Sequence, residues 1–281
     1  MECKVEAMSY MGLDCWRLSA GAGSAVVARQ GAQVLSWSPA DGVERLFLSE
    51  RARFDGVSPI RGGIPVCFPQ FSGLGGLPKH GLVRTRGWDM TAADTASGAS
   101  WLELRTGDDR STRAVWAHAW EAKVRVVLEP GRLDVGFTVR NQGDEAFSFT
   151  GALHTYLAVD DIAGASLSGL QGVEYRDAAD GDAVRLEQAE PLFIQAEVDR
   201  VYHDAPRKLL LRDGARRLLV AATGFPDVVV WNPWSDLCAR LPDMSPGGYR
   251  RMLCVEAAVA RVPATVPPGA QWCARQVLAP A

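Results

Sequence analysis

The sequence predicts an all-β chain folded as a large antiparallel β-sandwich, and three observations carry the prediction. Apolar and polar residues alternate with period two from end to end, and the alternating stretches are separated by Gly, Asp, Asn or Pro. Few segments could supply the crossover helices of a dozen or more residues that a parallel sheet needs.

In chain order, short strand candidates fall at 24–28 and 33–37, followed by a Gly/Pro-rich segment at 61–88 and a further strand at 101–105. From Trp116 the residues Trp116, His118, Trp120, Ala122, Val124, Val126 and Leu128 share one parity, with Glu121, Lys123 and Arg125 on the other. This is the pattern of a half-buried strand. Pro130-Gly131 then reads as a tight turn, and Leu133, Val135, Phe137 and Val139 alternate with Arg132, Asp134, Thr138 and Arg140 to complete a long antiparallel hairpin. Later candidates lie at 147–151, 208–211, 217–221 and 228–231. No fixed-period repeat, low-complexity tract or long linker divides the chain, so residues 1–281 are expected to form one domain.

Composition narrows the function. With 30 basic and 33 acidic side chains the net charge is −3, which gives no general attraction for nucleic acid or anionic membrane. The first residues mix Glu2, Lys4, Glu6, Asp14 and Arg17, leaving no apolar core for a signal peptide, and no segment reaches the roughly 18 apolar residues of a membrane helix. The six cysteines are scattered without a CxxC pair and are expected to be reduced thiols in a cytoplasmic protein.

The segment 61–88 is the most informative part of the chain, because seven glycines and three prolines bury little and are costly to order. Such a segment suits a long functional loop held by a rigid scaffold. Arg61, Lys79, Arg84 and Arg86 gather there in a slightly acidic chain, as cations suited to phosphate or carboxylate or as ordinary solvated charges. No GxxxxGK[ST] or GxGxxG element accompanies them, so a nucleotide-binding loop is not supported.

The chain has four histidines. His118 is expected to be a packed core residue of its strand, His203 a solvated turn residue, and His80 a member of the loop. His154, at the start of an apolar stretch, reads either as a hydrogen-bonded strand residue or as a proton-transfer group. A zinc site would need about three or four ligands, commonly with a short-spaced pair such as HxH or HExxH, and none is present. No metal site is therefore expected. Glu256 interrupts the apolar run 253–260, and a buried carboxylate is expensive unless paired or functional. Asp199, followed by Arg200, is a further candidate with a surface ion pair as its alternative.

Taken together, residues 61–71 (RGGIPVCFPQF), 77–84 (LPKHGLVR) with Trp88, and 152–156 (ALHTY) resemble the glucose-6-phosphate 1-epimerases, the D-hexose-6-phosphate mutarotases of the aldose 1-epimerase superfamily. Residues 197–202 (EVDRVY), 230–234 (VWNPW) and 254–256 (CVE) continue the match in the family's order, so the resemblance covers nearly the whole chain. It implies a galactose mutarotase-like supersandwich with the sugar site in a cleft on one sheet. It further implies His154 as acid, Glu256 as base, and Arg61, Lys79, His80, Arg84 and Asp199 as substrate-binding residues, with Arg61 and Arg84 on the 6-phosphate. The family's loop usually reads PQHGFAR, whereas here Lys79 takes the place of a substrate-contacting glutamine. The expected activity is α/β anomer interconversion of hexose 6-phosphates by a monomer without cofactor. An aldose 1-epimerase for unphosphorylated sugars and a non-catalytic sugar-phosphate-binding module are the alternatives.

Overall fold

The computed structural model describes residues 3–281. Its strands form three antiparallel sheets of four, eight and nine strands. The predicted hairpin is present as Trp120–Glu129 and Arg132–Asn141, turning at Pro130-Gly131 with Glu129 opposite Arg132 and Trp120 opposite Asn141. Trp120, Ala122, Val124, Val126, Leu128, Leu133, Val135, Phe137 and Val139 are all buried on one face. Each full burial of a Val, Leu or Phe side chain stabilises by about 1.5–3 kcal/mol, which is why the alternation fixes the register.

The strand starts at Trp120 rather than Trp116. Asp109 caps a short helix, Arg110–Arg113, by accepting from the Ser111 and Thr112 amides, and the Trp116 amide still bonds back to the Thr112 carbonyl at 2.8 Å. His118 is consequently a half-exposed loop residue resting on the Trp116 and Phe147 rings, at centroid distances of 4.8 and 5.3 Å, and not a core residue. His203 is also corrected. It lies in the turn after the strand Val198–Tyr202 but is buried there, because its amide donates to the Glu174 carbonyl at 2.9 Å and its Nδ1 sits 3.4 Å from the Glu174 carboxylate.

The other predicted strands appear, mostly longer, as Gly23–Ala28, Val34–Ser38, Ala99–Gly107, Phe147–Leu153, Lys208–Asp213, Arg216–Thr223 and Asp227–Asn232. The sequence did not reveal Lys4–Tyr10, Leu13–Ala20 or the helix Trp234–Arg240, and Asp89–Ala96 is exposed at every residue, so it has no apolar parity to read.

One hydrophobic core joins the eight- and nine-stranded sheets. Phe68 stands at its centre, with the rings of Trp116, Trp120, Phe137 and Phe149 at centroid distances of 5.5, 5.1, 6.0 and 5.1 Å. Because Phe68, Val83 and Trp88 all belong to the segment 61–88 and to this core, the segment is anchored at both ends, and only its middle, around 73–79, is largely exposed. The opposite face of the eight-stranded sheet carries the candidate site.

Candidate active site

Strand parity assembles the site. Along Met252–Val266, Leu253, Val255, Ala257 and Val259 enter the shared core, so Cys254, Glu256 and Ala258 take the other face. The antiparallel register sets Cys254 opposite Trp231 and Glu256 opposite Val229, and Asp199 opposite Trp231 on the next strand pair. Cys67, from the two-residue strand Val66–Cys67, lies opposite Ala152.

His154 occupies the break between Phe147–Leu153 and Tyr156–Ala158, and its amide donates to the Pro65 carbonyl at 2.9 Å. Thr155 turns inward. Its buried hydroxyl donates to Gln276 Oε1 at 2.5 Å, while Gln276 Nε2 donates to the Val255 carbonyl at 3.0 Å and the Val255 amide donates to the Thr155 carbonyl at 3.0 Å. This bridge spans the two large sheets and locks the neighbours of both His154 and Glu256.

On the site face, His154 Nδ1 lies 3.3 Å from Glu256 Oε1. His154 Nδ1 and Glu256 Oε2 have no hydrogen-bond partner among the described residues. Unpartnered buried polar atoms are costly, and both of these are free to bond a ligand. The His154 ring stacks on Tyr156 at 4.7 Å and 6° between planes, and Trp231 meets it edge-on at 6.2 Å. Burial pushes the Glu256 carboxyl well up, with Asp199 adding to the rise and Lys79 opposing it. Burial likewise holds His154 well down, reinforced by His80, Arg61 and Arg84. Burial thus works against the charged form of both groups.

The five expected binding residues are not equivalent. Arg61 grips Asp243 with two bonds of 3.1 Å, donates to the Tyr156 hydroxyl at 3.0 Å and lies over the Trp231 ring at 5.9 Å. Its charge is therefore already matched by a carboxylate. Arg84 Nη2 donates to the Lys79 carbonyl at 3.0 Å, leaving its remaining nitrogens without a partner among the described residues, and Lys79 is exposed. His80 is buried, with its ring centroid 5.3 Å from that of His154. Asp199 is partly buried and pushed up by burial, with Lys79 and Arg176 opposing the rise. Its neighbour Arg200 does not pair with it, bonding instead to Asp177 at 3.1 Å and Glu187 at 3.0 Å.

Four contributors had no assigned role in the sequence reading. Tyr156, Trp231 and Cys67 stood inside the quoted motifs, whereas Asp243 lies 182 residues from Arg61 in a turn with no local signal. Spacing also concealed a group that folding gathers, since His154, Cys254 and Glu256 offer donor atoms all within 4.8 Å of one another. Burial together with Glu256 holds the Cys254 thiol well up.

A β-sandwich with a buried imidazole–carboxylate pair on one open, cation-rimmed sheet face defines an acid–base enzyme for a small polar substrate. The chain belongs to the aldose 1-epimerase family, whose model matches residues 14–279. It is 36% identical over 258 residues to a protein of Cenchrus ciliaris provisionally named glucose-6-phosphate 1-epimerase, covering 88% of this chain and 78% of that protein. A protein of Escherichia coli K12 with the same provisional name is 32% identical, over 83% of this chain and 79% of its own length. The crystal structure of a provisionally assigned mutarotase from Salmonella typhimurium superposes with a TM-score of 0.91 at 27% identity, covering 99% of this chain and 93% of that one.

Proposed function

We propose that the chain interconverts the α and β anomers of hexose 6-phosphates, chiefly glucose 6-phosphate, as a cytoplasmic monomer in which residues 1–281 act as one catalytic unit. The observation that carries this reading is the buried His154–Glu256 pair, 3.3 Å apart, beside a loop that presents Arg84 and Lys79. The names of the relatives supply the phosphorylated substrate class.

In the ring-opening step the Glu256 carboxylate takes the O1 proton as the C1–O5 bond breaks, and the His154 imidazolium gives its proton to O5. The C1–O1 bond becomes a carbonyl, the aldehyde rotates about C1–C2, and reclosure reverses the two transfers on the other face. Atoms and charge balance without a cofactor. The step needs an ionised Glu256 and a protonated His154, the two forms that burial opposes. A phosphate dianion at Arg84 offsets the field by which that cation helps depress His154, and so favours the protonated imidazole. Arg84 and Lys79 are the phosphate-holding groups in this reading. Arg61, already matched by Asp243, buttresses Tyr156 against the His154 ring and offers its edge to a sugar oxygen, and His80 and Asp199 orient hydroxyls.

The test is exchange NMR of glucose 6-phosphate at equilibrium. Faster α/β exchange than in buffer supports the reading, and an unaltered rate overturns it. The same measurement on glucose distinguishes an enzyme for unphosphorylated sugars, which would accelerate both substrates equally.

A further inference from the structure

The loop holds His80 in an uncommon way. Both Ser72 and His80 have positive φ, 53° and 63°, a region costly for residues other than glycine. The two residues bond reciprocally, with the His80 amide donating to the Ser72 carbonyl at 2.9 Å and the Ser72 amide donating to His80 Nδ1 at 3.3 Å. Gln70 ties the loop from inside, donating to the carbonyls of Ser72 at 3.2 Å and Leu77 at 2.9 Å and accepting from the Leu77 amide at 3.0 Å. Cys67 Sγ approaches the same Nδ1 at 3.3 Å.

A backbone amide can only donate, so Nδ1 of His80 carries a lone pair. A neutral imidazole then bears its proton on Nε2. The Cys67 thiol, held protonated by burial and by Glu256, is a second, weaker donor to the same lone pair. The geometry points to Cys67 and the Ser72 amide as positioning groups that fix His80 as its Nε2–H tautomer, a neutral hydrogen-bond donor aimed at a substrate oxygen. Burial and the surrounding Arg84, Lys79 and Arg61 push the His80 pKa down to about 3, in keeping with a ring whose Nδ1 is already occupied. Nε2 makes no hydrogen bond among the described residues and is not one of the buried unpartnered atoms, so it keeps contact with solvent on the site face. In this form His80 offers a hydrogen bond, and His154, paired with Glu256, is the imidazole placed to give and take the proton. The identity of the acceptor as a sugar oxygen rests on the function proposed above; the tautomer does not.

The test is long-range 1H–15N NMR on histidine-labelled protein, with a His80→Gln variant to assign the resonances. A stable neutral Nε2–H pattern for His80 through neutral pH is expected, and an Nδ1–H pattern or a fast-exchanging mixture overturns the proposal whatever the activity. For Cys67, the comparison is Cys67→Val against Cys67→Ser. Loss of the weaker of the two donors in Cys67→Val should weaken, without abolishing, the preference for Nε2–H and lower kcat/KM roughly three- to tenfold. Cys67→Ser, which keeps a donor, should restore most of the NMR pattern and the rate. If Cys67→Val leaves both the pattern and kcat/KM unaltered, Cys67 has no positioning role. If the protein accelerates no anomer exchange at all, the NMR arm still decides the tautomer.

Discussion

Burial raises the Glu256 pKa, and this sets stability against activity at one side chain. A carboxyl whose pKa is raised by folding stabilises the native state fully below its unfolded value, near 4.5, and loses that contribution as pH rises through the folded value. Glu256→Gln removes the ionisable group and keeps the shape. Its melting temperature relative to wild type should therefore climb as pH is raised from 4.5 toward neutral, by the equivalent of about 1 kcal/mol or more, while kcat falls roughly 10²–10⁴-fold. Thermal denaturation across pH, paired with exchange NMR, checks both signs. Arg84→Ala tests the substrate class. KM for glucose 6-phosphate should rise about tenfold with little change for glucose, because only the phosphorylated substrate loses a charge-assisted contact. Arg61→Ala should not discriminate in this way, since its partner Asp243 is left unmatched whichever sugar is bound.

At the scale of elements, the site joins two kinds of backbone. Strands supply Glu256 and Asp199 through parity, and such positions could be read from sequence as soon as one face was known to be apolar. The segment 61–88 obeys no periodicity. Its conformation depends on close approaches such as that of Gly81, with φ 77°, where an added Cβ would lie 2.1 Å from the Phe68 carbonyl oxygen. Gly81→Ala should therefore displace the loop and with it His80, lowering kcat/KM by an order of magnitude or more while far-ultraviolet circular dichroism keeps its strand signal. The hairpin at 120–141 and most of the shorter strands were legible because they rest on alternation, and Glu256 stood out as a charge in an apolar run, whereas His154 was singled out only by the family resemblance. The Trp116 start and the His118 core position failed for a different reason. Parity continues through a capped helical turn as easily as through a strand, and only the Asp109 cap distinguishes them. Asp243 was illegible because nothing local marks a residue whose partner lies 182 positions away.

Across the whole molecule, the segment that shapes the site is rooted in the centre of the core. Phe68 contacts four aromatic rings, and Phe68→Ala should cost about 3–5 kcal/mol in chemical denaturation through lost burial and an incompletely refilled cavity. The class of fold follows from composition and periodicity alone, whereas the pairing of its sheets does not, because buried polar residues such as Thr155 and Gln276 look like surface residues until their partners are known. Their bridge also decides how the enzyme fails. A catalytic pair mounted on a movable flap would stop working well before the protein melts. Here the strand that carries Glu256 is bolted through the interior to the far sheet, so loss of turnover on heating should coincide with cooperative unfolding. Gln276→Leu should separate the two, letting activity fade at temperatures where the sandwich is still folded.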